Sequence, residues 1–409
     1  MIESMSLLQN TIKRMTEHYP WYSDLLKRHA IDMTRDVLLD RLPLITSSVL
    51  EEFYYTKDNP FEGRSDLFRY QTSGTSSGRR KTIYYSKEDE EHYLRNKMEI
   101  FRSIVNDFSG RTALADMGTG HAAATAIDVF QQLGFQVESV SYQLPVERHL
   151  ERLQLLKPDL LYTMPSILDR IMLAAGDSSV YGIRKVILVG EIASPAWIRK
   201  TADLLRIDPV DIVDTYGSIE IGTIAYYSHE HGRYIISGDL MAEGVTTEEL
   251  GENNETLADD ERVLVLTSTG RSMFPALRYV TYDVVRDLRP VKIDGETRQS
   301  FRCLVKRIGT ELKHGEKISI YDIENVVYRY LNEATVRVKV TGNALTVYII
   351  GKQIPSPVLK AIKKEITGQI PEIGAMIEGR LLQDINVIGL PFEDSVHRNA
   401  VKNKKIYYE

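Results

Sequence analysis

Apolar and polar positions form two recurring patterns along the middle of the chain. Between residues 70 and 240, short apolar runs such as 111–116 and 135–140 flank amphipathic segments such as 122–133. A short apolar run bounded by turn residues is typical of a strand, and apolar residues recurring every three or four positions are typical of a helix. The alternation of strand and helix therefore predicts an α/β layer, with helices packed on a sheet.

Two of the predicted strands end in residues suited to ligand binding. Residues 185–191 read as a buried strand that delivers Gly190 and Glu191 at its carboxyl end. The strand predicted at 211–215 runs directly into the polar segment 216–220. Ligands of open α/β sheets lie outside the carboxyl ends of the strands. Both strand ends are therefore predicted to point toward one crevice.

The pattern changes toward the carboxyl terminus. Beyond residue 305, helical periodicity at 318–331 and 357–366 encloses two runs with strand character, 335–340 and 344–350, which predict a hairpin. These elements predict a small α+β domain. Residues 1–60 show helical spacing and are interpreted as packing and connecting segments.

The length and composition fit this organisation. The chain has 409 residues, 43% of them hydrophobic and 26% charged, which is ordinary for a globular protein of two or three domains. We predict the α/β fold class, with a large α/β domain at 1–306 that has flanked sheets, followed by a small α+β domain at 307–409.

The net charge limits the possible binding partners, and the cysteine content indicates the redox compartment. Lysine and arginine number 51 against 57 aspartate and glutamate, a net charge of −6, which argues against non-specific nucleic-acid binding. Cys303 is the single cysteine, which excludes an internal disulfide framework and fits a reducing compartment. The first residues include Glu3 where a signal peptide would be basic, and no apolar run reaches the length of a membrane span. We expect a cytoplasmic protein with no membrane association.

The most informative motif is the hydroxyl-rich glycine loop at 72–81, which ends in three cations, Arg79, Arg80 and Lys81. Backbone N–H groups of such a loop can close round a polyphosphate while hydroxyls and cations bind its oxygens. The glycine spacing differs from the Walker pattern. The alternative is a flexible surface loop, so the remaining segments decide the interpretation.

Four segments, 72–81, 216–220, 274–283 and 402–405, resemble in order the motifs of the adenylate-forming superfamily, and the resemblance spans most of the chain. The compact length, Leu42-Pro43-Leu44, Thr163-Met164-Pro165-Ser166 and the late lysines look most like the phenylacetate–CoA ligase branch. The resemblance implies a large domain that binds ATP and an acid, and a small carboxyl-terminal domain that acts as a mobile lid.

The resemblance also implies roles for individual residues. Tyr216 would lie near the adenine, and Gly217 beside it would also bind the nucleotide. Glu220 would reach Mg²⁺, and Asp283 and Arg307 would approach the ribose. The triphosphate would bind the loop residues Ser73, Gly74, Thr75, Ser76, Gly78 and Lys81. This sequence departs from the family pattern at Ile219, Tyr282 and Gly309.

Four further residues or segments have competing interpretations. Lys402 matches the lysine that bridges the carboxylate and the α-phosphate in relatives, but Lys404, Lys405 or a simple basic tail compete with it. Glu191 is expected to line the nucleotide and acyl pocket, against a plain helix cap. His121 is a candidate for the border of the acyl pocket. The segment 229–231 (His-Glu-His) is a candidate for zinc ligation, since some members of the family carry a zinc site nearby.

The predicted function is ATP-dependent activation of a small, aromatic or otherwise compact carboxylic acid to an acyl-adenylate, with release of pyrophosphate. Transfer to a thiol would follow, either coenzyme A or the phosphopantetheine of an acyl or peptidyl carrier protein. Segments 72–81 and 315–317 also resemble acyl-acid amido synthetases, which use an amine acceptor. A nucleotide-binding relative without catalytic activity is the third alternative.

Overall fold

We describe the protein from a computed structural model. The structure describes residues 2–32, 37–72, 81–117, 121–251, 257–308, 320–341, 344–378, 382–391 and 406–408.

Helices and strands alternate between residues 82 and 218, and the described residues of 219–307 form strands with no α-helix among them. The α-helices are α1 (Ile2–His18), α2 (Pro20–Arg28), α3 (Ser47–Phe53), α4 (Lys87–Val105), α5 (His121–Gln132), α6 (Val146–Leu156), α7 (Pro165–Ala175), α8 (Pro195–Leu205), α9 (Ile320–Val327), α10 (Ser356–Gln369) and α11 (Pro371–Glu378). The strands are β1 (Phe68–Gln71), β2 (Thr82–Tyr85), β3 (Thr112–Asp116), β4 (Gln136–Val140), β5 (Leu160–Thr163), β6 (Lys185–Leu188), β7 (Ile212–Ser218), β8 (Gly222–Ser228), β9 (Arg233–Ile236), β10 (Leu240–Val245), β11 (Glu261–Ser268), β12 (Tyr279–Arg286), β13 (Arg289–Ile293), β14 (Glu296–Phe301), β15 (Cys303–Arg307), β16 (Ala334–Thr341), β17 (Ala344–Gly351), β18 (Ile385–Leu390) and β19 (Ile406–Tyr408).

The chain divides into two compact units, each built from separate segments. The first unit contains the described residues of 1–74, 78–106 and 215–308, and the second contains those of 107–214 and 309–409. The change from the first unit to the second after Ile308 lies close to the predicted domain boundary at 306, which itself stays a prediction.

Antiparallel ladders organise the first unit. One sheet has the order β10-β11-β12-β15, and a second ladder runs from the carboxyl half of β7 through β8, β9 and β14 to β13. Ahead of α3, Ile45 forms a parallel bridge with Tyr279, and its backbone bonds to Arg278 and Val280 at 3.0 Å. This bridge docks the amino-terminal segment, including the Leu-Pro-Leu sequence at 42–44, onto β12.

The second unit contains the parallel layer that the sequence predicts. Strands β4, β3, β5, β6 and the first residues of β7 pair in that order, all parallel. Every residue of β5 and of β6 is buried, as expected for strands covered on both faces. Helices α5 to α8 connect the strands, as in βαβ units.

The carboxyl-terminal elements add a sheet of order β18-β17-β16-β19 and share the core of this unit. Trp197 on α8 and Ile323 on α9 are fully buried in one apolar cluster. Lys200 Nζ donates to Asp169 Oδ1 at 3.0 Å and to the Ala334 carbonyl at 2.8 Å, which joins α8 to α7 and the start of β16. A buried charge is tolerated when it is paired and hydrogen-bonded in this way.

The α/β fold class, with a large amino-terminal region and a small carboxyl-terminal sheet, is therefore confirmed. Two element boundaries differ from the sequence prediction. The strand predicted at 185–191 ends at Leu188, because Gly190 adopts φ +80° and turns the chain. The described part of the helix predicted at 318–331 is α9, and it ends at Val327.

Among the described residues, no helix combines the length and apolar character of a membrane span.

Candidate adenylation site

A β-bulge in β12 positions Asp283. The register between β11 and β12 shifts at Leu264, so residues 281–283 of β12 lie opposite this one residue. Thr281 Oγ1 donates to the Leu264 carbonyl at 2.8 Å and accepts from the Asp283 N–H at 3.1 Å. Bulges redirect side chains and are frequent beside active sites. The bulge here sets the direction of the Asp283 carboxylate.

The Asp283 carboxylate has two partners, one on β7 and one on the adjacent strand β15. Tyr216 Oη donates to Asp283 Oδ2 at 2.6 Å, and the Arg307 guanidinium lies 3.8 Å from Oδ1. Burial, and next the charge of Asp283, raise the pKa of Tyr216 well above its ordinary value, so the hydroxyl remains a donor. The Arg307 side chain is half-exposed, so solvent screens its attraction to Asp283. The carboxylate is thus oriented from two sides.

Tyr216 and Gly217 lie in the carboxyl half of β7. The Tyr216 ring packs edge-on against Phe301, with 6.1 Å between ring centroids. A Cβ at position 217 would lie 2.7 Å from the carbonyl oxygen of Gly222, so the close approach of β7 and β8 requires glycine there. The adenine contact of Tyr216 and the nucleotide-binding role of Gly217 stay predictions.

Glu220 lies in the turn between β7 and β8, and buried side chains fix the backbone of that turn. Tyr85 Oη donates to the Ile219 carbonyl at 2.6 Å, and Arg271 Nε donates to the Glu220 carbonyl at 3.0 Å. Arg271 is itself buried and lies over the Tyr85 ring, 3.6 Å from its centroid. The Glu220 side chain therefore projects from a rigid turn.

Lys81 lies immediately after the glycine loop and before β2. Thr72 and Lys81, the two ends of the loop, are hydrogen-bonded to each other. The Thr72 N–H donates to the Lys81 carbonyl at 2.9 Å, and the Lys81 N–H donates to Thr72 Oγ1 at 3.0 Å. Lys81 Nζ is 2.6 Å from Glu51 Oε1 and 4.7 Å from the centroid of the Tyr55 ring. The ammonium is thus held at the base of the loop by α3 and the residues that follow it.

Nearby charged groups of the site act on the hydroxyls of Tyr55 and Tyr279. Burial, and next the charge of Glu220, raise the pKa of both tyrosines well above the ordinary value. Asp283 raises the pKa of Arg307, and Tyr279 and Glu220 add to that effect. Glu220, Asp283 and Arg307 therefore all act on the buried Tyr279 hydroxyl, within the first unit.

Sequence reasoning did not identify Glu51, Tyr55 or Tyr279 as site residues. Tyr279 lies inside the 274–283 motif, so the motif itself carried a signal for it. Glu51 and Tyr55 had no comparable local signal, because their place in the site depends on the docking of the preceding segment onto β12.

Glu191 belongs to the second unit and makes a helix-capping contact. Its carboxylate accepts from the Ser166 N–H at 2.9 Å and from Ser166 Oγ at 2.8 Å. Ser166 is the second residue of α7, so the carboxylate satisfies a donor at the positive end of the helix. The contact joins two segments that carry the family resemblance, while the predicted pocket-lining role of Glu191 stays a prediction.

Several predicted site residues lie outside the described residues, and their roles stay predictions. They are Ser73, Gly74, Thr75, Ser76, Gly78, Arg79, Arg80, Gly309, Gly315, Glu316, Lys317, Lys402, Lys404 and Lys405. His121 is the first residue of α5 and is buried, and its role at an acyl pocket is likewise untested. Near the zinc candidate, His231 Nδ1 lies 2.9 Å from Ser228 Oγ. The described residues contain no group of three or more His, Cys, Asp or Glu placed to hold a metal ion.

These residues suit a nucleoside triphosphate. An oriented carboxylate such as Asp283 can accept from ribose hydroxyls, and Lys81 places a cation beside a glycine loop. Mg²⁺ typically binds one or two carboxylates together with substrate phosphates and water, so Glu220 alone satisfies the protein share of such a site. A bound Mg²⁺ would neutralise phosphate charge, with Glu220 as its protein ligand.

Comparison with characterised sequences gives two matches. Residues 313–393 match the family described as fumarate–diaminopropanoate ligase C-terminal domain. Over 385 residues the chain is 37% identical to fumarate–(S)-2,3-diaminopropanoate ligase of Enterobacter agglomerans, which covers 94% of this chain and 95% of the relative.

Comparison with solved structures gives the same fold. A structure of 2-hydroxyisobutyryl-CoA ligase in the postadenylation state superposes with a TM-score of 0.76 and 14% identity, covering 99% of this chain and 88% of the other. The amide bond synthetase McbA of Marinactinospora thermotolerans superposes with a TM-score of 0.50 and 13% identity, over 79% of this chain and 65% of the other.

Proposed function

The chain belongs to the adenylate-forming ligases, and from this premise we propose that it is an ATP-dependent ligase that forms an amide between a small dicarboxylic acid and a diamino acid. Fumarate and (S)-2,3-diaminopropanoate are the proposed substrates. The observation that carries this proposal is the 37% identity to the ligase of that name over 94% of the chain. The family match at residues 313–393 points the same way.

The first half-reaction joins the acid to the nucleotide. A carboxylate oxygen attacks the α-phosphorus of ATP, and pyrophosphate leaves. The site residues support this step, since Asp283 can bind the ribose, Lys81 supplies a cation for the phosphates and Glu220 supplies a carboxylate for the proposed Mg²⁺. Two anions must meet for the reaction, so fixed cations and exact placement supply much of the catalysis.

The second half-reaction is proposed to use an amine in place of a thiol. The amine nitrogen attacks the acyl carbon, AMP leaves, and the nitrogen loses a proton. Transfer to coenzyme A or to a carrier-protein phosphopantetheine, and activation of an aromatic acid, remain the sequence-based alternatives. The resemblance to a CoA ligase at 14% identity supports the fold and does not discriminate between acceptors.

We expect fumarate to support Mg²⁺-dependent exchange between ATP and pyrophosphate in the absence of any acceptor. With fumarate present, (S)-2,3-diaminopropanoate is expected to increase AMP release, and coenzyme A is not. Exchange would be measured with radiolabelled pyrophosphate across fumarate, succinate, maleate, benzoate and phenylacetate, and AMP release would be measured with each acceptor in turn.

Each other outcome has a defined meaning. AMP release that depends on coenzyme A alone would show that the protein is an acid–thiol ligase and not an amide ligase. Exchange with aryl acids but not with fumarate would show that the activated acid is aromatic and not dicarboxylic. Folded protein that binds ATP and exchanges with none of the acids would contradict the proposed substrate class and favour a binding role.

A further inference from the structure

Tyr282 holds an unusual backbone conformation beside Asp283. Its φ is +62°, in the left-handed region that bulky residues rarely enter. The sequence has tyrosine where the family commonly has glycine, and the structure shows that the tyrosine adopts a glycine-like conformation. The Tyr282 ring is buried in the apolar cluster around Val263 and Val280, which offsets part of the backbone cost.

The Tyr282 hydroxyl reaches the first turn of α3. Tyr282 Oη accepts from the Ser47 N–H at 3.1 Å and lies 3.1 Å from Ser47 Oγ. The first N–H groups of a helix have no partner within the helix, so an oxygen at this position satisfies one of them. The bulge that carries Asp283 is thereby attached to the amino end of α3.

The same face of α3 holds Lys81. Glu51 follows Ser47 by four residues, and residues at this spacing are neighbours on a helix surface. Glu51 Oε1 accepts from Lys81 Nζ at 2.6 Å. One face of a short helix therefore contacts both the ribose-binding strand, through Tyr282, and the lysine of the phosphate loop, through Glu51.

We propose that α3 is a positioning element of the adenylation site, in which Tyr282 and Glu51 fix the distance between Asp283 and Lys81. The inference rests on the proposed function in one respect, that Asp283 and Lys81 bind the two ends of ATP. Glu51 holds the Lys81 ammonium in place before the nucleotide arrives and keeps it in position when the β- and γ-phosphates bind. Tyr282 and Glu51 are positioning residues, since each acts through a neighbour.

The Glu51–Lys81 ion pair is partly exposed to solvent. The Glu51 side chain is 42% exposed and that of Lys81 is 21% exposed. Exposed ion pairs contribute little to stability, so loss of the Glu51 charge should leave the fold intact. An effect on catalysis can therefore be separated from an effect on folding.

Glu51→Gln is expected to lower kcat for ATP–pyrophosphate exchange about tenfold, because it removes the charge that positions Lys81. It is also expected to lower the KM for ATP about threefold, because it removes an anion near the phosphates. AMP affinity should be unchanged, because AMP lacks the phosphates that Lys81 reaches. Glu52→Gln is the matched control, as it makes the same charge change at the next, exposed residue of α3.

Tyr282→Phe removes only the hydroxyl and tests the other end of α3. We expect the Kd of AMP to rise about threefold and that of ATP about tenfold, because ATP also depends on the position of Lys81. Calorimetric titration of both nucleotides gives the ratio, and thermal unfolding checks the fold. Tyr330→Phe, an exposed tyrosine bonded to Glu365, is the matched control.

Two results would overturn the inference. Equal factors for AMP and ATP in Tyr282→Phe would mean that the hydroxyl acts locally on Asp283 and not through α3. Exchange kinetics of Glu51→Gln that match the wild type would remove Glu51 from the positioning role. Wild-type protein that fails to bind ATP or to catalyse exchange would instead contradict the proposed function.

Discussion

Replacing Asp283 by alanine is expected to raise the Kd of both ATP and AMP about a hundredfold. Hydrogen bonds to a charged acceptor contribute about 1.5–3 kcal/mol each, and a carboxylate facing a ribose can accept from two hydroxyls. The substitution also removes the acceptor of Tyr216 Oη, which lies 2.6 Å from Asp283 Oδ2. ATP and AMP should lose the same factor, because both carry the ribose. Calorimetric titration of each nucleotide measures the effect.

Two further variants make the Asp283 result interpretable. Asp283→Asn keeps the size of the side chain and one oxygen acceptor, and we expect a loss of about tenfold, since the acceptor is then neutral. Asp203→Ala removes an exposed aspartate on α8 and should leave both affinities unchanged. If AMP binds the folded Asp283→Ala protein as tightly as it binds the wild type, the ribose assignment is wrong.

Glu220→Gln is expected to lower the rate of adenylate formation about a thousandfold, an effect of the size seen when one electrostatic contact to a transition state is lost. The backbone of the turn should stay in place, because Tyr85 and Arg271 bond to its carbonyl groups and not to the Glu220 side chain. A neutral amide is a poor ligand for Mg²⁺, so the Mg²⁺ concentration needed for half-maximal exchange should also rise.

The Mg²⁺ titration separates a ligand from a merely structural residue. Glu248→Gln makes the same change at an exposed position in the turn that follows β10, and should leave the titration unchanged. A Glu220→Gln enzyme with a lower rate but the wild-type Mg²⁺ dependence would show that Glu220 acts on the tyrosine hydroxyls around it and not on the metal.

Local pattern predicted the elements but not all of their ends. The strands at 112–116 and 136–140 follow directly from their apolar runs, and the hairpin β16–β17 follows from the alternation at 335–350. Strand β6 ends three residues earlier than predicted. The positive φ of Gly190 turns the backbone there, and the apolar character of the sequence does not show where such a turn begins. Periodicity measures burial and does not measure backbone direction.

The family resemblance likewise singled out candidate site residues, Tyr216, Glu220, Asp283 and Arg307. The structure places Asp283 beside Tyr216 and Arg307, while the roles of all four in nucleotide binding stay predictions. The bulge that directs Asp283 was not predictable, because it depends on the register of β12 against β11, which lie in different parts of the sequence.

The sequence by itself determined the family and the α/β class, since these depend on motifs and periodicities that are local in the chain. It also named candidate residues of a nucleotide site, whose roles stay predictions. Tertiary structure alone decided that Tyr282 adopts φ +62° and that its hydroxyl meets Ser47. It also decided that Glu51 holds Lys81. These contacts join residues between 30 and 235 positions apart. Only the folding of one segment onto another brings such distant residues together, so no local pattern records them.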